Sequence, residues 1–83
     1  MNRPALYADF NNTDPLGRLR LNCVGTVEDL SRQGIRLRDG LPVLLHDEEL
    51  EAEGETQFSP DEHIWVAIIN WQKVRHKSNV RAT

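Results

Sequence analysis

Eighty-three residues leave room for one small hydrophobic core and no second domain. A charged fraction of 28% and a hydrophobic fraction of 39% fit a folded globule rather than a disordered tail, and no apolar run approaches the roughly 18 residues of a transmembrane helix. The net charge of −3 is segregated: Asp47 to Glu62 holds eight acids and no Lys or Arg, which argues against nucleic-acid binding over the whole surface but leaves room for a local basic patch.

In chain order, Leu6, Ala8 and Phe10 alternate with Tyr7 and Asp9, the two-residue period of a half-buried strand. Asn11 to Gly17 concentrates turn residues, with Asp14-Pro15 starting a turn and Gly17 free to take positive φ, so a hairpin is expected into a second strand, Arg18 to Cys23. Gly25 to Gly34 reads as a short helix with Thr26 as N-cap, Glu28 and Asp29 at the positive end of its dipole, and Gly34 in a left-handed C-terminal position closed by Ile35 over Leu30. Val27 and Leu30 are expected to pack it on the sheet.

Ile35 to Arg38 reads as a third strand, and Asp39-Gly40 as a two-residue hairpin turn into Leu41 to His46, where Pro42 suits an edge or a bulge. Leu50, Ala52, Gly54, Thr56 and Phe58 then alternate with Glu51, Glu53, Glu55 and Gln57, giving a strand with one core face and one acidic face. His63 to Trp71 is β-branched and aromatic and should pair back as a hairpin; Gln72 to His76 fits a last turn or short strand. The expected fold is mainly β, a small antiparallel barrel or strongly twisted sheet of about six strands with one short helix. Residues 1–76 form the single domain and 77–83 a flexible C-terminal tail.

Chemistry-bearing patterns are sparse. A domain this small has little stability to spare for desolvated catalytic groups, and no nucleophile elbow or phosphate-binding glycine loop occurs, so the protein reads as a non-enzyme without cofactor. Glu51, Glu53 and Glu55 read as a solvated face. His46 with Asp47 and His63 is the best metal candidate, but the spacing of the three histidines gives no motif, and the expectation is no metal. Cys23, the only cysteine, reads as buried packing and fits a reducing compartment. With a start, Met1-Asn2-Arg3-Pro4, that lacks the apolar core of a signal peptide, this points to a cytoplasmic protein with no membrane partner.

Arg18 with Arg20 and Arg36 with Arg38 each project from the outward face of an expected strand. They either pair with Glu51, Glu53 and Glu55 across the sheet or converge on a small anion, since guanidinium groups grip phosphates through paired hydrogen bonds. Asp29-Leu30-Ser31-Arg32-Gln33-Gly34 resembles the Asp-x-Ser-x-x-Gly signature of PilZ domains, small β-barrels that bind cyclic di-GMP. That resemblance implies ligand roles for Asp29, Ser31 and Gly34 beside the arginines. The upstream Arg-x-x-x-Arg of that family is replaced by Arg18-x-Arg20, and the spacing recurs only at Arg32 and Arg36. Ala8 to Asn12 and Gly25 to Leu30 are similar to stretches of small bacterial proteins of unassigned function, which implies a compact domain and no activity.

The leading functional expectation is therefore a non-catalytic interaction or regulatory module of the bacterial cytoplasm. Tyr7, Trp65 and Trp71 are its candidate contacts to a protein partner or a second copy, because amphipathic aromatic side chains are frequent binding anchors. The alternative is a sensor of a phosphate-bearing nucleotide through Arg18, Arg20, Arg36, Arg38, Asp29, Ser31 and Gly34.

Overall fold

The computed structural model describes residues 3–77. Its elements are β1 Ala5–Tyr7, β2 Leu19–Arg20, α1 Val24–Gln33, β3 Pro42–His46, β4 Leu50–Ser59, β5 Ile64–Ile69, a 3₁₀ turn at Trp71–Lys73, and β6 Arg75–His76. The strands form one sheet in the order β1-β3-β4-β5-β2, which curls into a half-barrel. Glu51 pairs with His46 on one side and Arg75 on the other, so β6 continues along the edge of β4 that β5 leaves at Gly54. This is the mainly β, six-stranded fold with one helix that the strand patterning predicts.

The alternation holds along most of the strands but breaks at the end of β4, where Phe58, expected on the core face, is exposed and Ser59 is buried. Leu6, Ala8 and Phe10 are buried, as are Leu19 and Leu21, Val43 and Leu45, Ala52 and Ala67, and together they form the core. Removing a side chain such as Leu6, Leu19 or Leu45 from water stabilises the fold by roughly 1.5–3 kcal/mol each. The β4–β5 hairpin forms as expected, its turn closed by His63 at φ 59°.

Pairing departs from expectation at three places. β1 does not form a hairpin with β2; it runs parallel to β3, with Ala5 opposite Leu44 and Tyr7 opposite His46, so the sheet is mixed rather than wholly antiparallel. A period of two reports which face a side chain takes, not which strand lies beside it. Ile35 to Arg38 is not a strand: Ile35 and Leu37 pack against the core and Arg36 and Arg38 face solvent, but no ladder forms. The Asp39-Gly40 turn is present, with Gly40 at φ 82°, yet it only leads that segment into β3.

The helix also sits differently. It starts at Val24 with Cys23 as N-cap, so Thr26 lies inside it and its first turn carries no acid. Val27 is exposed at 53%. Leu30 packs against the core as expected, but the rest of the face turned inward is polar, because α1 lies along the free edge of β1 and its side chains satisfy that edge. The Thr26 hydroxyl donates to the Tyr7 carbonyl, the Asp29 carboxylate accepts from the Tyr7 N–H at 2.7 Å, and the Gln33 amide donates to the Ala5 carbonyl at 2.9 Å. Gly25 lets the helix approach, since a Cβ there would lie 2.6 Å from the Tyr7 ring. Its C-terminus ends as expected, with Gly34 at φ 66° and the Ile35 N–H donating to the Leu30 carbonyl.

The opposite edge of the sheet, on β2, is covered by backbone. Arg20 N–H donates to Asn12 O, Asp14 N–H donates to Arg18 O, and Thr13 bridges Leu19. Both long edges are thereby closed to strand addition. Lys77, expected in a free tail, is anchored through its ammonium to the Asp47 carbonyl at 2.7 Å and its N–H to the Glu49 carbonyl. The rest of that expected tail, 78–83, lies outside the described residues, as do residues 1 and 2.

Candidate functional site

The most elaborated surface feature is a corner built from the Asp14–Arg18 turn and Trp71. Asp14 is buried, and its carboxylate accepts from the Leu16 N–H (3.0 Å), the Arg18 N–H (2.8 Å) and Arg18 Nε (2.8 Å). Burial alone would raise this carboxyl, but the backbone and side-chain hydrogen bonds from Arg18 and the one from Leu16 outweigh it and hold it below the usual range. Pro15 and Leu16 are thus forced outward, and Gly17 takes φ 80°, as the turn residues predict.

The turn in turn locks an aromatic ring. Gly17 O accepts from Trp71 Nε1 at 2.8 Å, and the indole stands edge-on to Phe10 with centroids 6.3 Å apart. Trp71 nonetheless remains 44% exposed, beside a turn whose Leu16 is 74% exposed. A hollow of about 180 Å³ adjoins the turn, lined by Pro15, Leu16, Arg18, Ser59 and the acids Asp61 and Glu62, with Asp14 in its wall. Leu16 was not singled out from the sequence; the only signal was an aliphatic residue inside an Asp-Pro-x-Gly turn, where it has nowhere to pack.

Arg18 and Arg20 support this corner through hydrogen bonds within the fold. Arg18 spans Asp14 and the Gln57 side chain (2.7 Å), and Arg20 grips Glu62 through two bonds of 2.8 Å. The Arg20 hydrogen bonds hold Glu62 below its usual value against desolvation, and Glu62 in return raises Arg20. The expected pairing with the β4 acids is therefore corrected: Glu51 is bound by Arg75 at 2.8 Å and Glu53 by Arg3 at 3.4 Å. Arg36 and Arg38 are exposed and make no side-chain hydrogen bond or ion pair among the described residues.

The other candidates separate. Asp29 is buried against the β1 edge and bound by Arg32; Ser31 is exposed, and Gly34 is the helix terminator. Trp65 is half-buried against the core, edge-on to Phe58 at 5.4 Å. Tyr7 lies between Gly25 and the His46 ring, its hydroxyl 3.4 Å from Glu48; burial foremost, then that carboxylate, raises its pKa. Cys23 is half-exposed rather than buried, its sulfur 3.0 Å from the Thr26 hydroxyl.

His46 and His63 do not converge. His46 pairs opposite Glu51 near the start of β4 and His63 lies beyond its far end, past Ser59, a separation of roughly 26 Å at about 3.3 Å per residue. Among the described residues no three His, Cys, Asp or Glu side chains are placed to hold a metal ion, and no helix is long and apolar enough to cross a membrane. Comparison with protein-family models, with curated proteins and with solved structures finds no match to this chain.

Proposed function

We propose that the protein is a non-catalytic interaction module that engages a protein partner through the Leu16–Trp71 corner. The observation that carries this reading is the indole of Trp71, fixed by its bond to Gly17 O and its contact with Phe10 while nearly half of it stays in solvent. An aromatic anchor held in one orientation loses little side-chain entropy on binding. The closed sheet edges direct a partner to such a surface rather than to strand addition, and the adjacent hollow gives a neighbouring side chain of the partner a place to enter. Of Tyr7, Trp65 and Trp71, only Trp71 stands here; Trp65 packs on the core and Tyr7 against Gly25 and His46.

The nucleotide-sensor reading has less behind it. Arg18, Arg20 and Asp29, which it requires, already spend their hydrogen-bonding groups within the fold. A direct test is in-cell cross-linking of the tagged full chain in cells that carry it natively, against Leu16→Asp and Trp71→Ala variants shown to fold by circular dichroism. The proposal expects a defined partner bound by the parent and lost by both variants. An unchanged set of cross-linked proteins in all three overturns it.

A further inference from the structure

A second surface carries its own chemistry. The outward column of β4 is Glu51, Glu53, Glu55 and Gln57, and an arginine from another part of the chain meets three of the four: Arg75 on Glu51, Arg3 on Glu53, Arg18 on Gln57. Glu55 has no such partner among the described residues. The register places it between Pro42 on β3 and Ile68 on β5, both exposed, Ile68 at 43%. This row borders a hollow of about 290 Å³ whose far wall is Arg3 and Glu53. An unpaired carboxylate between aliphatic neighbours is the complement of a cation carried on an aliphatic arm.

The chain itself supplies that complement. Of the seven described arginines, five hold carboxylates, and Arg36 and Arg38 hold none. They project from an extended segment pinned by Leu37, which packs on the core, and by the Arg38 carbonyl, which accepts from the hydroxyl of Thr56. Thr56 adjoins Glu55 and points inward, so within one molecule Arg38 and Glu55 occupy the same end of β4. A two-fold axis at that end would set the arginines of each copy against the Glu55 and Ile68 of the other, so that the contact forms twice and the assembly closes.

We propose that two copies of this chain associate in this way, Arg36 and Arg38 of one against Glu55 and Ile68 of its partner, independently of the Leu16–Trp71 corner. The test is sedimentation velocity of the full chain over a wide concentration range, at low and high salt. Expected are a dimer that weakens as salt is raised, a monomer for Glu55→Arg, a monomer for the Arg36→Glu/Arg38→Glu pair, and a restored dimer when all three reversals are combined. Leu16→Asp should leave the dimer intact. A parent chain that stays monomeric, single reversals that leave a dimer unchanged, a combined variant that stays monomeric, or a dimer abolished by Leu16→Asp would each overturn the proposal.

Discussion

Arg18 and Arg20, which flank Leu19 at the start of β2, and Arg36 and Arg38, which flank Leu37 after α1, share the Arg-x-Arg spacing, and in both cases the aliphatic residue between them is turned toward the core. The first pair is tied to Asp14, Gln57 and Glu62 and holds a turn and a strand end in place. The second pair is exposed, and its side chains meet no partner among the described residues. What separates them is the neighbourhood that long-range pairing supplies: β2 lies beside β5, whose far neighbour brings Gln57 and whose preceding turn brings Glu62, whereas 35–38 joins no ladder. Outward-facing charge acquires a structural role only where the register places an acceptor opposite it.

Substitutions can break or sharpen that contrast, beginning with the largest effect. Asp14→Ala removes three hydrogen bonds to a buried carboxylate and leaves Arg18 without its acid, so the free energy of unfolding should fall by about 2–3 kcal/mol, read from the urea midpoint. Because Gly17 depends on that turn, Trp71 emission should shift to longer wavelength in the folded variant.

Acid should act on the same pair. Asp14 and Glu62 both titrate below their ordinary values in the folded chain, so the unfolded chain binds more protons as pH drops through the carboxylate range. The stability they supply is complete above about pH 5 and is lost as pH falls through their lowered folded values. In a series of thermal melts, Asp14→Asn should flatten this acid limb; an unchanged slope would remove Asp14 from the account.

A smaller effect is expected at the outer ion pair. Arg20→Gln and Glu62→Gln should each lower the melting temperature modestly, and the double variant should be no worse than the sum of the singles, with the coupling weakened by salt. Smallest of all, Arg36→Ala with Arg38→Ala should leave the melting temperature of the dilute chain unchanged. A clear loss of stability there would mean that the second pair is structural after all.

Much of the fold was legible because alternation and turn chemistry are local. Leu6, Ala8 and Phe10, or Ala52 and Thr56, are assigned to the inside by period alone, and Gly17, Gly34 and Gly40 each adopt the positive φ that their turn contexts ask for. The helix begins and ends within a few residues of its expected bounds, but its inward face is only partly the apolar one that the pattern predicts. Of Val27 and Leu30, the two residues expected to pack it, only Leu30 does, because much of the neighbouring surface is a strand edge rather than an apolar sheet face, and an edge selects donors and acceptors such as Thr26, Asp29 and Gln33. Asp29, a residue of the PilZ-like stretch, likewise serves this edge: its carboxylate accepts from the Tyr7 N–H and pairs with Arg32.

The candidate site was legible only in part. Trp71 was named, and the Asp14 turn was recognised, but nothing local connects residues 17 and 71. The amino-acid order by itself determined the β-rich class, the inward faces and the turn positions, because these follow from backbone preferences and side-chain period within a few residues. Only the tertiary structure decided that β1 runs parallel to β3, that Arg20 meets Glu62 while the Arg36 and Arg38 side chains meet no partner among the described residues, and that the turn carrying Leu16 locks the Trp71 indole. Each of those depends on which distant segment supplies the partner for a hydrogen bond or a charge, and no local pattern encodes that choice.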